Sequence, residues 1–129
     1  MKKILIDTNA YAAFKKNNPE AVTALRSVEH IGVSIVVLGE LLSGFAGGAK
    51  ETVNRKELDE FLDSPRVAVI PHDEETAEYY ARIYWDLKKK ERPIPANDLW
   101  IAASAMRLGL ALLTYDEHFA SIEGLILHR

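Results

Sequence analysis

Short runs that are apolar throughout, each followed by a helical period, constrain this chain more than any other feature. Lys3–Ile6, residues 33–36, Val67–Ile70 and residues 110–113 have strand composition, and residues 125–127 read as a fifth run. Between them, Asn18 is a good helix cap ahead of Pro19, and Ala21, Val22, Leu25 and Val28 recur at helical spacing until Gly32. Glu40 falls in the first turns of a second helix, Gly44, Gly47 and Gly48 mark a corner, and residues 51–62 form a charged helical arm. From Asp73, residues Ala77, Tyr80, Ala81, Tyr84 and Leu87 line the inner face of a helix, with Glu78, Arg82, Asp86 and Lys89 outside. In the next helix Leu99, Ala102, Ala103 and Met106 form one apolar stripe, Ile101, Ala105 and Leu108 a second, and Gly109 the stop. Strands that are apolar rather than alternating are covered on both faces, which predicts a three-layer α/β/α sandwich around a mainly parallel sheet of about five strands.

At 129 residues the chain suits one domain, residues 1–129, with a sizeable core. It has no Cys, so disulfides and thiolate metal sites are excluded and any metal must be held by oxygen or imidazole. Lys2 and Lys3 precede an apolar run too short for a signal peptide or a membrane span, so the expected location is the cytoplasm.

The acids sort by the same fold logic. In parallel sheets ligands bind in the crevice at the carboxyl ends of the strands. Asp7 follows the first strand, Glu40 lies about a turn past the second, Asp98 begins the helix leading into the fourth, and Asp116 follows the fourth. Taken singly each has an ordinary use: Asp7 and Asp98 as helix caps, Glu40 as a solvated helix residue, Asp116 in a turn. Together they ask for a cation, because crowded carboxylates repel and their pKa values rise unless neutralised. An all-oxygen cluster suits Mg²⁺ or Mn²⁺, which keep water ligands and bridge to phosphate. Such a cation can activate water and stabilise the charge of a phosphorane-like transition state, so phosphodiester hydrolysis is the reaction that fits. Ser34, Ser43 and Ser104 have no His that the sequence places to activate them.

A net charge of -3 argues against a nucleic-acid partner. Setting the four acids aside leaves fifteen acidic against sixteen basic residues, so the acidity is largely the site itself. Lys15 and Lys16 after Asp7, and Lys88, Lys89, Lys90 and Arg92 before Asp98, are candidate contacts to a phosphate backbone.

Four blocks in order, "ILIDTNAY", "VVLGELLSG", "PIPANDLWIAASA" and "LLTYDEHF", resemble the PIN-domain ribonucleases, specifically the VapC toxins of toxin–antitoxin pairs. The resemblance runs nearly end to end. It implies a PIN-like fold and a Mg²⁺- or Mn²⁺-dependent endoribonuclease that cuts structured RNA, commonly tRNA or rRNA. Asp7, Glu40, Asp98 and Asp116 match the family's acidic quartet: Asp7 and Asp98 as direct ligands, Asp116 assisting directly or through water, Glu40 orienting water or supporting the ligands. Thr8, Asn9, Asn97 and Thr114 match supporting polar positions. A homodimer is implied, as is a VapB-like antitoxin whose C-terminal segment packs over a helical groove and blocks the pocket. Tyr115 departs from the Asn of many relatives. His118 is expected to be structural, and His30, His72 and His128 to lie on the surface.

Other folds gather carboxylates too. A phosphoacceptor receiver domain wants adjacent acids after the first strand and a Lys after the last, whereas here Asp7 stands alone and 125–127 is followed by His128. A haloacid-dehalogenase-type phosphatase wants a second Asp two residues after Asp7, where this chain has Asn9. The remaining alternatives are a PIN-fold nuclease outside any toxin–antitoxin pair and a PIN-fold module that binds RNA or protein without cutting.

Overall fold

Four parallel strands form one sheet in the computed structural model, which describes residues 2–128. They are β1 (Lys3–Ile6), β2 (His30–Ser34), β3 (Val67–Ile70) and β4 (Ala111–Leu113), in the order β3-β2-β1-β4. A helix pair fills each crossover: α1 (Thr8–Lys15) and α2 (Pro19–Arg26), α3 (Ile35–Ala46) and α4 (Glu51–Leu62), α5 (Glu74–Lys89) and α6 (Ala96–Leu108). The first two crossovers step outward from β1 to β3, and the third returns past β1 to β4. Right-handed crossovers stepping in opposite directions put their helices on opposite faces, which gives the three layers. The reversal makes the crevice between the ends of β1 and β4 the switch point where α/β sheets bind ligands.

The two central strands and β4 are largely buried, as their composition requires, whereas the edge strand β3 leaves Ala68 and Val69 exposed. Ile4, Leu5 and Ile6 of β1 are at most 1% exposed, and Leu112 of β4 is fully buried. Gly32 lies within β2 rather than ending α2, which stops at Arg26. A Cβ there would meet Leu5 Cδ1 at 3.0 Å and Ile70 Cγ1 at 3.2 Å, so its neighbours occupy the space a side chain would need.

Three local expectations are corrected. β2 ends at Ser34 instead of reaching residue 36, because the Ser34 hydroxyl accepts the Val36 N–H at 3.1 Å and starts α3. That helix passes through Gly44 and ends at Gly47. Residues 125–127 form no strand: Leu127 makes one parallel bridge to Leu112, so the sheet has four strands, not five.

Of the expected inner face of α5, Leu87 and Tyr80 pack on the core, but the face is turned at its other three positions. Thr76, Ile83 and Leu87 are buried, whereas Ala77, Ala81 and Tyr84 are exposed. A capping box sets this rotation: Asp73 accepts the Thr76 N–H and hydroxyl, each at 2.9 Å, and Thr76 Oγ1 accepts the Asp73 N–H at 3.2 Å. With its hydroxyl satisfied, Thr76 can be fully buried, and the core stripe follows from it.

Candidate active site

Asp7, Glu40, Asp98 and Asp116 line one pocket of about 450 Å³ with Thr8, Asn9 and Asn97. Asp7 arrives at the end of β1 as the cap of α1, where Oδ1 accepts the Ala10 N–H at 2.9 Å. Its other oxygen accepts from the Thr114 hydroxyl, at the end of β4. The same Thr114 oxygen accepts the Asp116 N–H at 3.0 Å, so one residue fixes both acids. Asn9 Oδ1 accepts the Tyr115 N–H at 3.2 Å and pins the same loop to α1.

Glu40 lies on the second turn of α3, and both of its oxygens are engaged. Thr8 Oγ1 donates to one at 2.6 Å and Asn97 Nδ2 to the other at 3.2 Å. This carboxylate therefore ties α1, α3 and α6 together. Asp98 does not cap α6, whose cap position is Pro95 with no side-chain bond. It sits in the first turn, where the helix dipole favours an anion and its carboxylate is not taken up by capping.

His118, expected to be structural, stands between two of the acids. Its Nε2 is 2.6 Å from Asp98 Oδ2 and its Nδ1 is 3.1 Å from Asp116 Oδ1. The signal in the sequence was its place two residues past Asp116, on the 3₁₀ turn Glu117–Ser121 that Asp116 caps.

Burial dominates the electrostatics. Asp7 is 4% exposed, and burial pushes its carboxyl up to about 6 despite the bonds from Thr114 and Ala10, with Asp98 and Asp116 adding to the rise. Asp98 is likewise raised by burial, opposed by His118 and assisted by Asp116 and Glu40. Three carboxyls and an imidazole thus converge where a positive charge is favoured. Ligand atoms of Asp98, Asp116 and His118 lie within 4.8 Å of one another, and the donors are hard oxygens with one imidazole. The set fits Mg²⁺ or Mn²⁺ and excludes any ion that requires thiolate.

The six predicted backbone cations do not line this pocket. Lys15 pairs with Glu57 of α4 at 2.8 Å and lines a separate groove with Phe14, Leu25 and Phe61. Lys16 is exposed at the end of α1. Lys88, Lys89, Lys90 and Arg92 cluster at the end of α5, where Lys90 pairs with Asp86 at 2.9 Å. Of the other histidines, His30 is exposed, while His72 and His128 are half-buried. His72 stacks on Trp100 and lies 3.3 Å from Ser34 Oγ, a pairing the sequence did not reveal. Ser34 is fully buried and occupied in capping α3, so it presents no nucleophile. A larger concavity, about 750 Å³ between α2 and the end of β4, is lined by none of the four acids.

The PIN domain family matches residues 4–125. A ribonuclease, VapC1 of Haemophilus influenzae (strain R2866), is 31% identical over 116 residues, covering 87% of this chain and 85% of that protein. Ribonuclease VapC2 of Rickettsia felis is 30% identical over 128 residues, covering 95% and 94%. Among solved structures, a chain of the VapBC2 complex of Rickettsia felis bound to a promoter DNA fragment superposes with a TM-score of 0.88 at 29% identity, covering 98% of this chain and 97% of that one. With fold and sequence in agreement along nearly the whole length, the chain belongs to the PIN-domain family.

Proposed function

We propose that this chain is a single-domain, Mg²⁺- or Mn²⁺-dependent endoribonuclease that acts as the toxin of a toxin–antitoxin pair. The observation that carries the reading is the convergence of Asp7, Glu40, Asp98 and Asp116 on one pocket at the switch point, with Asp7 held near 6 by burial. Asp7, Asp98 and Asp116 are the residues that would hold the cation, with His118 beside them. When bound, a divalent cation supplies a Lewis acid for the phosphate and a water that is more easily deprotonated. Thr114 orients Asp7 and the Asp116 backbone, and Thr8 and Asn97 hold Glu40 facing the pocket, where its free lone pairs can orient water. Lys16, Lys88, Lys89 and Arg92 are exposed and suited to the phosphates of a folded RNA such as tRNA or rRNA.

The groove of about 430 Å³ between α1, α2 and α4, apolar at Phe14, Val22, Leu25 and Phe61, suits the C-terminal segment of a VapB-like antitoxin. Ile35 on α3, 45% exposed, and Val69 on β3, 39% exposed, offer an apolar face for a homodimer. No described helix is long and apolar enough to cross a membrane, and the proposed site of action is the cytoplasm.

Purified antitoxin-free protein, incubated with total cellular RNA, should cut with Mg²⁺ or Mn²⁺ and stop cutting with EDTA or on Asp98→Asn. A well-folded protein that cuts no RNA with either metal would overturn the enzyme reading. Expression alone should arrest growth, and coexpression of the neighbouring gene should relieve it. A nuclease harmless to its host would leave the toxin assignment refuted and the enzymatic one intact.

A further inference from the structure

The corrected rotation of α5 leaves an unexplained surface at that helix's C-terminal end. Trp85 is 55% exposed and Tyr84 40%, their rings edge to face at 5.3 Å. Lys88 Nζ lies 5.0 Å from the Trp85 ring centroid and 5.8 Å from that of Tyr84. Residues 82–92 carry five cationic side chains against two acidic ones, in a chain whose net charge is -3. Among the described residues Lys90 is paired with Asp86, but no ion pair engages Lys88, Lys89 or Arg92. Tyr84 and Lys88 also wall a groove of about 350 Å³ that continues to Ile94 and Leu99. Their chain neighbours Pro95 and Asp98 line the acid pocket, so the loop and first turn of α6 border both concavities.

We propose that Trp85 and Tyr84, flanked by Lys88, Lys89 and Arg92, form a stacking platform for unpaired bases of the RNA strand that enters the acid pocket. This rests on the nuclease reading and adds to it a way of holding single-stranded substrate. Exposed aromatics interleaved with unpaired cations are the chemistry of single-strand recognition: the rings take base faces and the cations track the phosphates. Pairing with a second copy is disfavoured, because a two-fold contact at this end of α5 would bring Lys88, Lys89 and Arg92 against their own copies.

The chain has two tryptophans, and Trp100 is half-buried against His72 and Tyr80, so exposed tryptophan emission reports Trp85. A short oligoadenylate titrated into the whole protein in EDTA should quench that emission. By fluorescence anisotropy of labelled oligoadenylate, Trp85→Ala should weaken binding about tenfold, and Trp85→Phe, which keeps a ring, should stay within about twofold. The double variant Lys88→Ala, Lys89→Ala should bind with a shallower salt dependence. Unquenched emission, or wild-type affinity in Trp85→Ala, would overturn the platform. So would a Trp85→Ala protein that dissociates from dimer to monomer in sedimentation while each protomer binds RNA as before. Failure of the nuclease reading looks different, since wild-type protein would then cut no RNA with either metal whatever it binds in EDTA.

Discussion

The hydroxyl of Thr114 donates to Asp7 across the junction of β4 and β1, a contact spanning 107 positions of sequence. It lowers the Asp7 pKa against the rise caused by burial, and it also accepts the Asp116 N–H. Thr114→Val removes both bonds. Its cleavage rate at pH 7 should fall by about tenfold or more, as for loss of a group that orients metal ligands. The acid limb of its pH–rate profile should move to higher pH, because the ionised Asp7 then forms later. Thr114→Ser should behave like wild type. An unshifted acid limb in the valine variant would show that Thr114 does not tune Asp7.

Asp7 makes the metal-free protein less stable at neutral pH. Its folded pKa of about 6 exceeds the ordinary 3.8, so the folded state binds the proton more tightly. Its stability contribution is complete below the ordinary value and is lost as pH rises through about 6. Asp7→Asn keeps an oxygen for the Ala10 N–H and carries no charge. Without metal it should be more stable than wild type by about 2 kcal/mol at neutral pH, and no more stable at strongly acidic pH. Urea denaturation at both pH values tests this, and identical curves at neutral pH would contradict the burial argument. The same variant should be inactive.

Metal binding should repay that instability. Mg²⁺ or Mn²⁺ at a hundredfold excess over its dissociation constant should stabilise wild-type protein by about 2.7 kcal/mol. Asp98→Asn should lose most of this gain. A thermal shift of equal size in wild type and variant would place the cation elsewhere.

His118 touches both Asp98 and Asp116, so it holds their carboxylates at a fixed spacing. His118→Ala should lower Mn²⁺ affinity about tenfold, the usual effect of removing a group that orients ligands. Isothermal titration measures it directly. Unchanged affinity would return His118 to a packing role.

The tight fit around Gly32 makes a prediction about the fold alone. Gly32→Ala drives a methyl group toward the side chains of buried Leu5 and half-buried Ile70 and should cost about 1–3 kcal/mol. A midpoint of urea unfolding equal to wild type would mean that these neighbours yield freely.

Much of this arrangement was legible in the sequence, for identifiable reasons. Strands apolar throughout require cover on both faces, and a parallel sheet then brings Asp7 and Asp116 to one edge whatever the loops do. What escaped depended on local hydrogen bonds that override composition. Val36 reads as strand, yet the Ser34 cap makes it helix. Ala77, Ala81 and Tyr84 read as core, yet the Asp73–Thr76 box turns them outward. His118 and the His72–Ser34 pair escaped because long-range side-chain neighbours leave no periodic trace. The run 125–127 had strand composition but reached the sheet with a single bridge.

Glu40 binds α1 through Thr8 and α6 through Asn97, and Asp7 reaches β4 through Thr114. The site therefore has no local version: no single hairpin or helix pair contains enough of it to work. Its geometry exists only when all three crossovers have closed, so partial unfolding of any one should silence the site before the core melts. Activity in this chain would then report the integrity of the whole sheet, and a half-folded molecule would be a harmless one.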